Sequence, residues 1–432
     1  MGSDVISFGS SVSGGEVLVI AALHPFPPRC GSAVRIAQYV RHLVRRGLSV
    51  DLAVLSDSLP IERDEECARA ALSFCSRVVV VRHPLTVSPL ARLAYRAWGR
   101  MIGFHLGDWL HCPPVLVRTV RETFASRKYR AVIISGVHLS RLASLFRPPV
   151  QRILEAQDVW WDRFQSYSAL GRGAELGNFS NPKREARLAS RFDTVLAINS
   201  RDAEIFRKIG VKRPISVVPF VADAELLGLG EDSAAADLSP WEPPARPPRI
   251  LFVGTESSTN LDAVRFFRAR VFPSVRRQVP SCRLRVVGQA ARHLEPEPGV
   301  DRVGWVDCLA KEYREATAVA VPLRMGSGLK TKVVEALAHG KALLTTPVGA
   351  QGVDIVHELD AVVSDDPSIL AREAVRILTD DNVRRGYEAR AREAAMRFFN
   401  PETAFAPLRR LLGLDPRGSA AASGTPEPAF VR

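Results

Sequence analysis

Paired cysteine spacings are missing from this chain. Its six cysteines, Cys30, Cys67, Cys75, Cys112, Cys282 and Cys308, are scattered without a C-x-x-C spacing, which argues against a zinc site and against a disulfide framework. That usage fits a reducing cytoplasm. Long apolar runs are missing too: stretches such as residues 17–23 and 78–81 have strand length and fall far short of the roughly 20 residues a membrane-spanning helix needs. Residues 1–15, rich in Ser and Gly, lack the basic start and apolar core of a secretory signal, so they read as a flexible leader and export is not expected. No G-x-G-x-x-G follows the first strand of either half, which speaks against a nicotinamide dehydrogenase.

What is present is the composition of a globular protein. A chain of 432 residues with 46% hydrophobic content is too long for one ordinary core, so two domains are expected. The formal charge of +13 is uneven: residues 1–225 carry 31 Lys and Arg against 20 Asp and Glu, and the remainder 28 against 26. The first half therefore offers an anion-facing surface, for anionic lipid, a phosphorylated acceptor or nucleic acid. No RNA- or DNA-reading motif accompanies the charge, so nucleic acid is not expected as a partner.

Short apolar runs alternate with helix-period stretches throughout, the pattern of parallel sheets with helical crossovers. In the first half, residues 16–225, strands are expected near 17–23, 50–55, 78–81, 131–135, 152–155, 194–198 and 216–218. The first helix should run from Ser32, as N-cap, to a stop at Gly47. Residues 226–248 turn to Gly, Asp, Ser and Ala with five prolines and read as an interdomain linker. A second alternating unit, 249–398, has strands near 250–253, 284–287, 318–322, 342–346 and 361–363, with helices at 260–277, 331–339, 368–378 and 381–399. A last helix at 399–413 is expected to pack back toward the first half, and 414–432 reads as a disordered tail.

The most informative stretch is VAVPLRMGSGLKTKVVEALAHGKALLTTPVGAQG, residues 319–352. A strand ends at Pro322, a loop holds Gly326 and Gly328, and a helix opens near Leu329. Glycines let backbone approach a ligand closely, and the free N–H groups at a helix start favour a phosphate. Arg324, Lys330 and Lys332 add charge around that point, while Glu335, one and a half turns into the helix, can present a carboxylate to a ribose diol. A diphosphate beside a hydroxyl pair describes a nucleoside diphosphate. The plain alternative is a solvated basic turn with Glu335 as ordinary helix surface.

The run from Met325 to Gly352 resembles the donor-site block of family 4 glycosyltransferases and their relatives, enzymes of the GT-B fold. The likeness extends through most of the second unit: Phe252-Val253-Gly254 resembles the family's first strand and its phosphate-side glycine, and D-R-V-G-W-V-D at 301–307 the loop whose backbone lines the nucleobase, pointing to Arg302, Val303 and Gly304. In the first half, P-P-R-C-G-S at 27–32 stands where the family has a Gly-rich loop near the reaction centre. F-D-T-V-L-A-I-N-S-R-D at 192–202 and V-V-P-F-V-A-D at 217–223 resemble the strand pairs that close the N-terminal domain. The resemblance implies an α/β fold with two Rossmann-like domains whose parallel sheets face across a cleft, the donor nucleotide sugar held by the second. It also implies transfer with retention of configuration to a glycan or lipid-linked acceptor, as in cell-surface polysaccharide or glycoconjugate synthesis. No metal or other cofactor is then expected.

The expected donor site comprises Gly254, Arg302, Val303, Gly304, Arg324, Gly326, Ser327, Gly328, Leu329, Lys330, Lys332 and Glu335. Two departures from the family pattern stand out. Of a glutamate pair eight residues apart only Glu335 is kept, with Ser327 in the other place, and the usual Arg/Lys pair after the first strand is replaced by Thr255, Ser257, Ser258 and Asn260. Arg324, Lys330 and Lys332 are therefore expected to supply the phosphate charge. These departures leave open a second reading, a catalytically degenerate GT-B protein that binds or scaffolds. On the acceptor side stand Gly31, Ser32, His138 and Asp158. His138 occupies a place where the family often keeps a histidine contacting the donor sugar, and is otherwise a loop histidine; with Lys330 and Glu335 it completes the expected catalytic set. Asp158 bonds an acceptor hydroxyl or caps the helix that Trp160 and Trp161 begin. His24, His105 and His111 show no partner in the sequence and default to structural histidines. Arg92, Arg96 and Arg100 recur at four-residue intervals beside an apolar stripe, which suits either an ordinary surface helix or one lying on an anionic membrane.

Overall fold

A computed structural model describes residues 5–9, 16–56, 60–83, 112–173, 181–223, 247–353 and 360–415. The arginine-striped segment 88–104, His105 and His111, most of the expected linker and most of the expected tail lie outside the described residues.

The first half is an eight-stranded sheet. Its strands are β1 (Val5–Gly9), β2 (Val17–Ala21), β3 (Val50–Ser56), β4 (Arg77–Arg82), β5 (Ala131–Ser135), β6 (Gln151–Glu155), β7 (Thr194–Ala197) and β8 (Ile215–Val217), and its helices α1 (Gly31–Arg45), α2 (Ile61–Leu72), α3 (Pro114–Thr123), α4 (Trp160–Ser168), α5 (Pro182–Ala189) and α6 (Ser200–Lys208). The spatial order is β1-β4-β3-β2-β5-β6-β7-β8, all parallel except β1, which runs antiparallel to β4. Strands β2, β3 and β5 are buried along their whole length, as expected of a parallel sheet covered on both faces.

The second half is a six-stranded parallel sheet of β9 (Arg249–Val253), β10 (Arg283–Val287), β11 (Val300–Gly304), β12 (Ala318–Val321), β13 (Leu343–Thr345) and β14 (Val362–Val363), in the order β11-β10-β9-β12-β13-β14. Helices α7 (Ser258–Phe266), α8 (Phe272–Gln278), α9 (Leu309–Glu315), α10 (Thr331–Ala338), α11 (Pro367–Thr379) and α12 (Asp381–Phe399) surround it. The chain then returns through α13 (Pro401–Ala404) and α14 (Ala406–Leu411), which lay Phe405, Leu408 and Leu412 into the core of the first half. Phe405 stacks on His42 at 4.2 Å and meets Tyr39 edge-on at 5.2 Å. The architecture is α/β, two Rossmann-like domains in the GT-B arrangement.

Four sequence expectations are corrected. The leader is not structureless: Val5–Gly9 forms an edge strand whose Ile6 and Phe8 pack on one face of the sheet and Val5 on the other, the period-2 pattern outweighing the surrounding Ser and Gly. The segment read as a loop at 301–304 is part of β11, where Arg283 pairs with Asp301 across the edge; alternating charge hid the strand. The helix expected at 260–277 is interrupted by a π segment, Phe267–Val271, before Pro273, which supplies no backbone donor and restarts the helix as α8. Ser32 lies inside α1, whose N-cap is Cys30 without a side-chain cap bond.

Candidate nucleotide-sugar site

The glycine loop between β12 and α10 meets the first half directly. Gly326 (φ 128°) and Gly328 (φ 67°) lie in the left-handed region, and a Cβ on Gly328 would fall 3.0 Å from that of Asp158, so both conformation and space require glycine. The Gly326 N–H donates to Ser166 Oγ at 2.9 Å, and Ser327 Oγ donates to Asp158 at 2.6 Å. Beside them Tyr167 exchanges a 2.6 Å hydroxyl hydrogen bond with Thr259, and Gly31 abuts Thr331 closely enough that a Cβ would lie 2.6 Å from its Oγ1.

Lys330 is 8% exposed. Its ammonium turns back to donate to the carbonyls of Ser327 at 2.8 Å and Gly328 at 2.7 Å, which laces the loop. Burial pulls its pKa down to about 8, opposed by Asp202 and Asp158, so the charge persists at neutral pH. Helix α10 carries no side-chain cap, which leaves its first N–H groups for an anion. Two residues on, in the first turn of α10, Lys332 donates to Asn260 Oδ1 at the start of α7 and lies 5.5 Å from the centre of the Phe252 ring. Burial brings it also to about 8, with Glu335 opposing.

Glu335 is half-buried and accepts a 2.8 Å hydrogen bond from Tyr313, whose ring stacks on His339 at 4.6 Å. Burial raises its pKa, against the Tyr313 hydroxyl and Lys332. Gly254, Gly288 and Gly304 bring the ends of β9, β10 and β11 flush: Gly254 N–H donates to the Val287 carbonyl at 2.9 Å and Gly288 N–H to that of Gly304 at 2.5 Å. A Cβ on Gly288 would strike the Gly254 carbonyl at 2.3 Å. Trp305, next in the chain, is 56% exposed.

Not every expected residue joins this group. Arg324 forms a bidentate pair with Asp262 at 2.9 and 2.5 Å and lies over Phe266, so its charge is already matched, and the expectation that it serves the phosphate is not supported by the geometry. The exposed Arg302 spends one guanidinium N–H on the Leu294 carbonyl at 2.8 Å, while Val303 is half-buried against the second core and Leu329 is buried in it, so the last two have only backbone to offer. Asp158 is not the cap of α4: the Trp160 and Trp161 N–H groups donate to Glu185 at 2.8 and 2.9 Å, while Asp158 accepts from Ser327 and pairs with Arg163. His138 stacks on Trp160 at 5.2 Å, on the first-half side of the same strand ends.

The sequence reading named Asp158 but missed the acidic residues around it, Asp162 and Asp202, which with Asp158 face Lys330, and Glu185 behind them. Asp158, Asp162, Glu185 and Asp202 are all buried. Asp162 is paired with Arg201 at 2.6 and 2.9 Å, and Asn199 Oδ1 caps α6 by accepting from the Asp202 N–H at 2.7 Å. Burial pushes Asp202 up to about 7, with Asp158 adding repulsion and Lys330 opposing; it pushes Glu185 to about 7 as well, against the two tryptophan N–H groups. The N-S-R-D run at 199–202 carried a cap signal, but nothing local tied it to Lys330, some 130 residues away in the chain. Among the described residues no three His, Cys, Asp or Glu are arranged to hold a metal ion, and no helix is long and apolar enough to cross a membrane.

Residues 247–380, the strand-and-helix unit that holds this site, match the family model described as glycosyl transferases group 1. A comparison with curated proteins finds no match. Among solved structures, sucrose-phosphate synthase from Thermosynechococcus elongatus superposes with a TM-score of 0.64 at 18% identity, covering 92% of this chain and 98% of that one. Anabaena HepE in complex with UDP and glucose superposes with a TM-score of 0.61 at 13% identity, covering 93% and 100%. The E. coli trehalose-6-phosphate protein bound with UDP-2-fluoro glucose gives 0.56 at 12% identity, covering 93% and 100%. At these identities the likeness is one of fold, and it extends over both halves.

Proposed function

We propose that the protein is a glycosyltransferase that moves a sugar from a nucleoside diphosphate sugar to a glycan or lipid-linked acceptor with retention, the donor resting on the second half. The observation that carries this reading is the conjunction, within the segment matched by the glycosyltransferase family model, of the glycine loop, the uncapped start of α10, Lys330, Lys332 and Glu335. UDP or a UDP sugar in relatives of the same fold supports it.

In this reading the α10 N–H groups and the two lysines take the diphosphate, and Glu335 accepts from the ribose hydroxyls. The bond from the anomeric carbon to the departing phosphate oxygen breaks, and the acceptor oxygen bonds to that carbon on the same face. The acceptor proton passes to the departing phosphate oxygen, so no separate base is needed. Lysine charge and helix start offset the negative charge gained by the leaving group, in place of a metal. The contacts between the halves at Ser327, Gly326 and Tyr167 keep water from the reacting carbon.

The test is a thermal-shift panel of nucleoside diphosphates and nucleotide sugars followed by donor-hydrolysis and transfer assays. A cognate donor raises the melting temperature because it binds the folded state alone. A panel in which no nucleotide or nucleotide sugar shifts the transition refutes the reading.

A further inference from the structure

Among the described residues, the second half reaches only some of the carboxyl ends of the strands in the first sheet. The second half contacts the segments after β6 and β7, through Asp158, Ser166, Tyr167 and Asn199, and the start of α1 at Gly31. Over β3 and β4 lies a different group, built on Asp64 of α2, which is fully buried. Ser56, at the end of β3, donates to it at 2.6 Å; Arg82, at the end of β4, donates through Nε at 3.0 Å; His24, three residues beyond β2, approaches through Nε2 at 2.7 Å. Among the described residues, none of the hydrogen bonds of His24, Ser56 or Asp64 runs to the second half.

The chemistry of this group is directional. A carboxylate only accepts, so Nε2 of His24 carries the ring hydrogen. Burial holds the His24 pKa below its ordinary value, with Asp64 opposing, and the ring is neutral near pH 7. Its Nδ1 then has a lone pair and, among the described residues, no hydrogen-bond partner. Three strand ends and one helix converge to fix one acceptor atom at the edge where open α/β sheets bind ligands. The complement of such an atom is an O–H group.

We propose that His24 Nδ1 accepts a hydrogen bond from a hydroxyl of the carbohydrate acceptor, with Asp64 as the positioning residue that fixes the ring, so that the acceptor lies over β3 and β4. The assignment rests on the glycosyltransferase reading for the name of the ligand, but not for its chemistry.

The test uses the full chain on an immobilised array of mono- and oligosaccharides, with His24→Ala, His24→Asn and Asp64→Asn alongside the parent and UDP affinity measured by calorimetry on each. Glycan signal should fall about tenfold or more in His24→Ala, while His24→Asn, whose Oδ1 takes the place of Nδ1, should keep a larger share. UDP affinity and melting temperature should hold across the His24 variants. An unchanged glycan signal in His24→Ala, or no glycan bound by the parent, overturns the proposal. Failure of the parent to bind UDP or any UDP sugar counts instead against the proposed function, and the array still decides whether His24 reads a carbohydrate hydroxyl.

Discussion

Replacing Glu335 by glutamine removes a charge and leaves a carbonyl oxygen for the Tyr313 hydroxyl; replacing it by alanine removes both. The difference matters because Tyr313 is 1% exposed and spends its hydroxyl on Glu335. Glu335→Ala strands that hydroxyl in the core, which costs about 1 to 3 kcal/mol of stability, whereas Glu335→Gln keeps the bond and should melt close to the parent. Both lose the charged acceptor proposed for the ribose. A charge-assisted hydrogen bond contributes about 1.5 to 3 kcal/mol, so each variant should bind the nucleoside diphosphate about tenfold to a hundredfold more weakly. Isothermal titration with the diphosphate, beside a thermal melt of each variant, separates the two effects. If Glu335→Gln binds and turns over the donor like the parent, the ribose assignment is wrong and the donor must lie elsewhere on α10.

Lys330→Ala should act mainly on turnover, by about 3 kcal/mol or a hundredfold, as expected for one electrostatic donor to a leaving group, in steady-state kinetics; a loss confined to the Michaelis constant would count against that role. Burial raises Asp202 and Glu185 to about 7, above the ordinary carboxylate value near 4, so the folded state holds their protons more tightly than the unfolded one. The stability they confer is complete below about pH 4 and is lost as pH rises through about 7; Asp202→Asn should therefore raise the melting temperature at pH 8 more than at pH 5.5, and an equal shift at both would refute the coupling. Phe405→Ala should cost about 3 to 5 kcal/mol in chemical denaturation, since the ring is buried between Tyr39 and His42 of the first half; a loss under 1 kcal/mol would show that the return of the chain is not part of that core.

Much of the fold could be read because parallel strands are short apolar runs, and the runs at 131–135, 152–155 and 284–287 coincide with β5, β6 and β10 to within a residue. Two of the four edge strands escaped, while β8 and β14 were legible as the runs at 216–218 and 361–363. Strands β1 and β11 mix polar and apolar residues because one side of each lacks a neighbouring strand. The site was half legible: glycines before a helix carry a local signature, and Lys330, Lys332 and Glu335 lie within six residues of one another. Their partners Asn260, Tyr313, Asp158 and Asp202 come from other elements and, for the last two, from the other half. Arg324 reads in the sequence as an unmatched charge for the same reason, since its ion-pair partner, Asp262, is 62 positions away.

The return of the chain through Phe405, Leu408 and Leu412 also fixes an order of events during synthesis. The first half emerges from the ribosome early, but the side chains that finish one face of its sheet are encoded after the whole second half. It must wait, with Tyr39 and His42 uncovered, until residues 405–412 have been made. The second half has no such dependence for its own sheet and is free to fold as soon as α12 is out. Synthesis from the N-terminus therefore does not impose completion from the N-terminus, and a released chain truncated near residue 400 should expose the unfinished apolar face to chaperones while its later half is already compact.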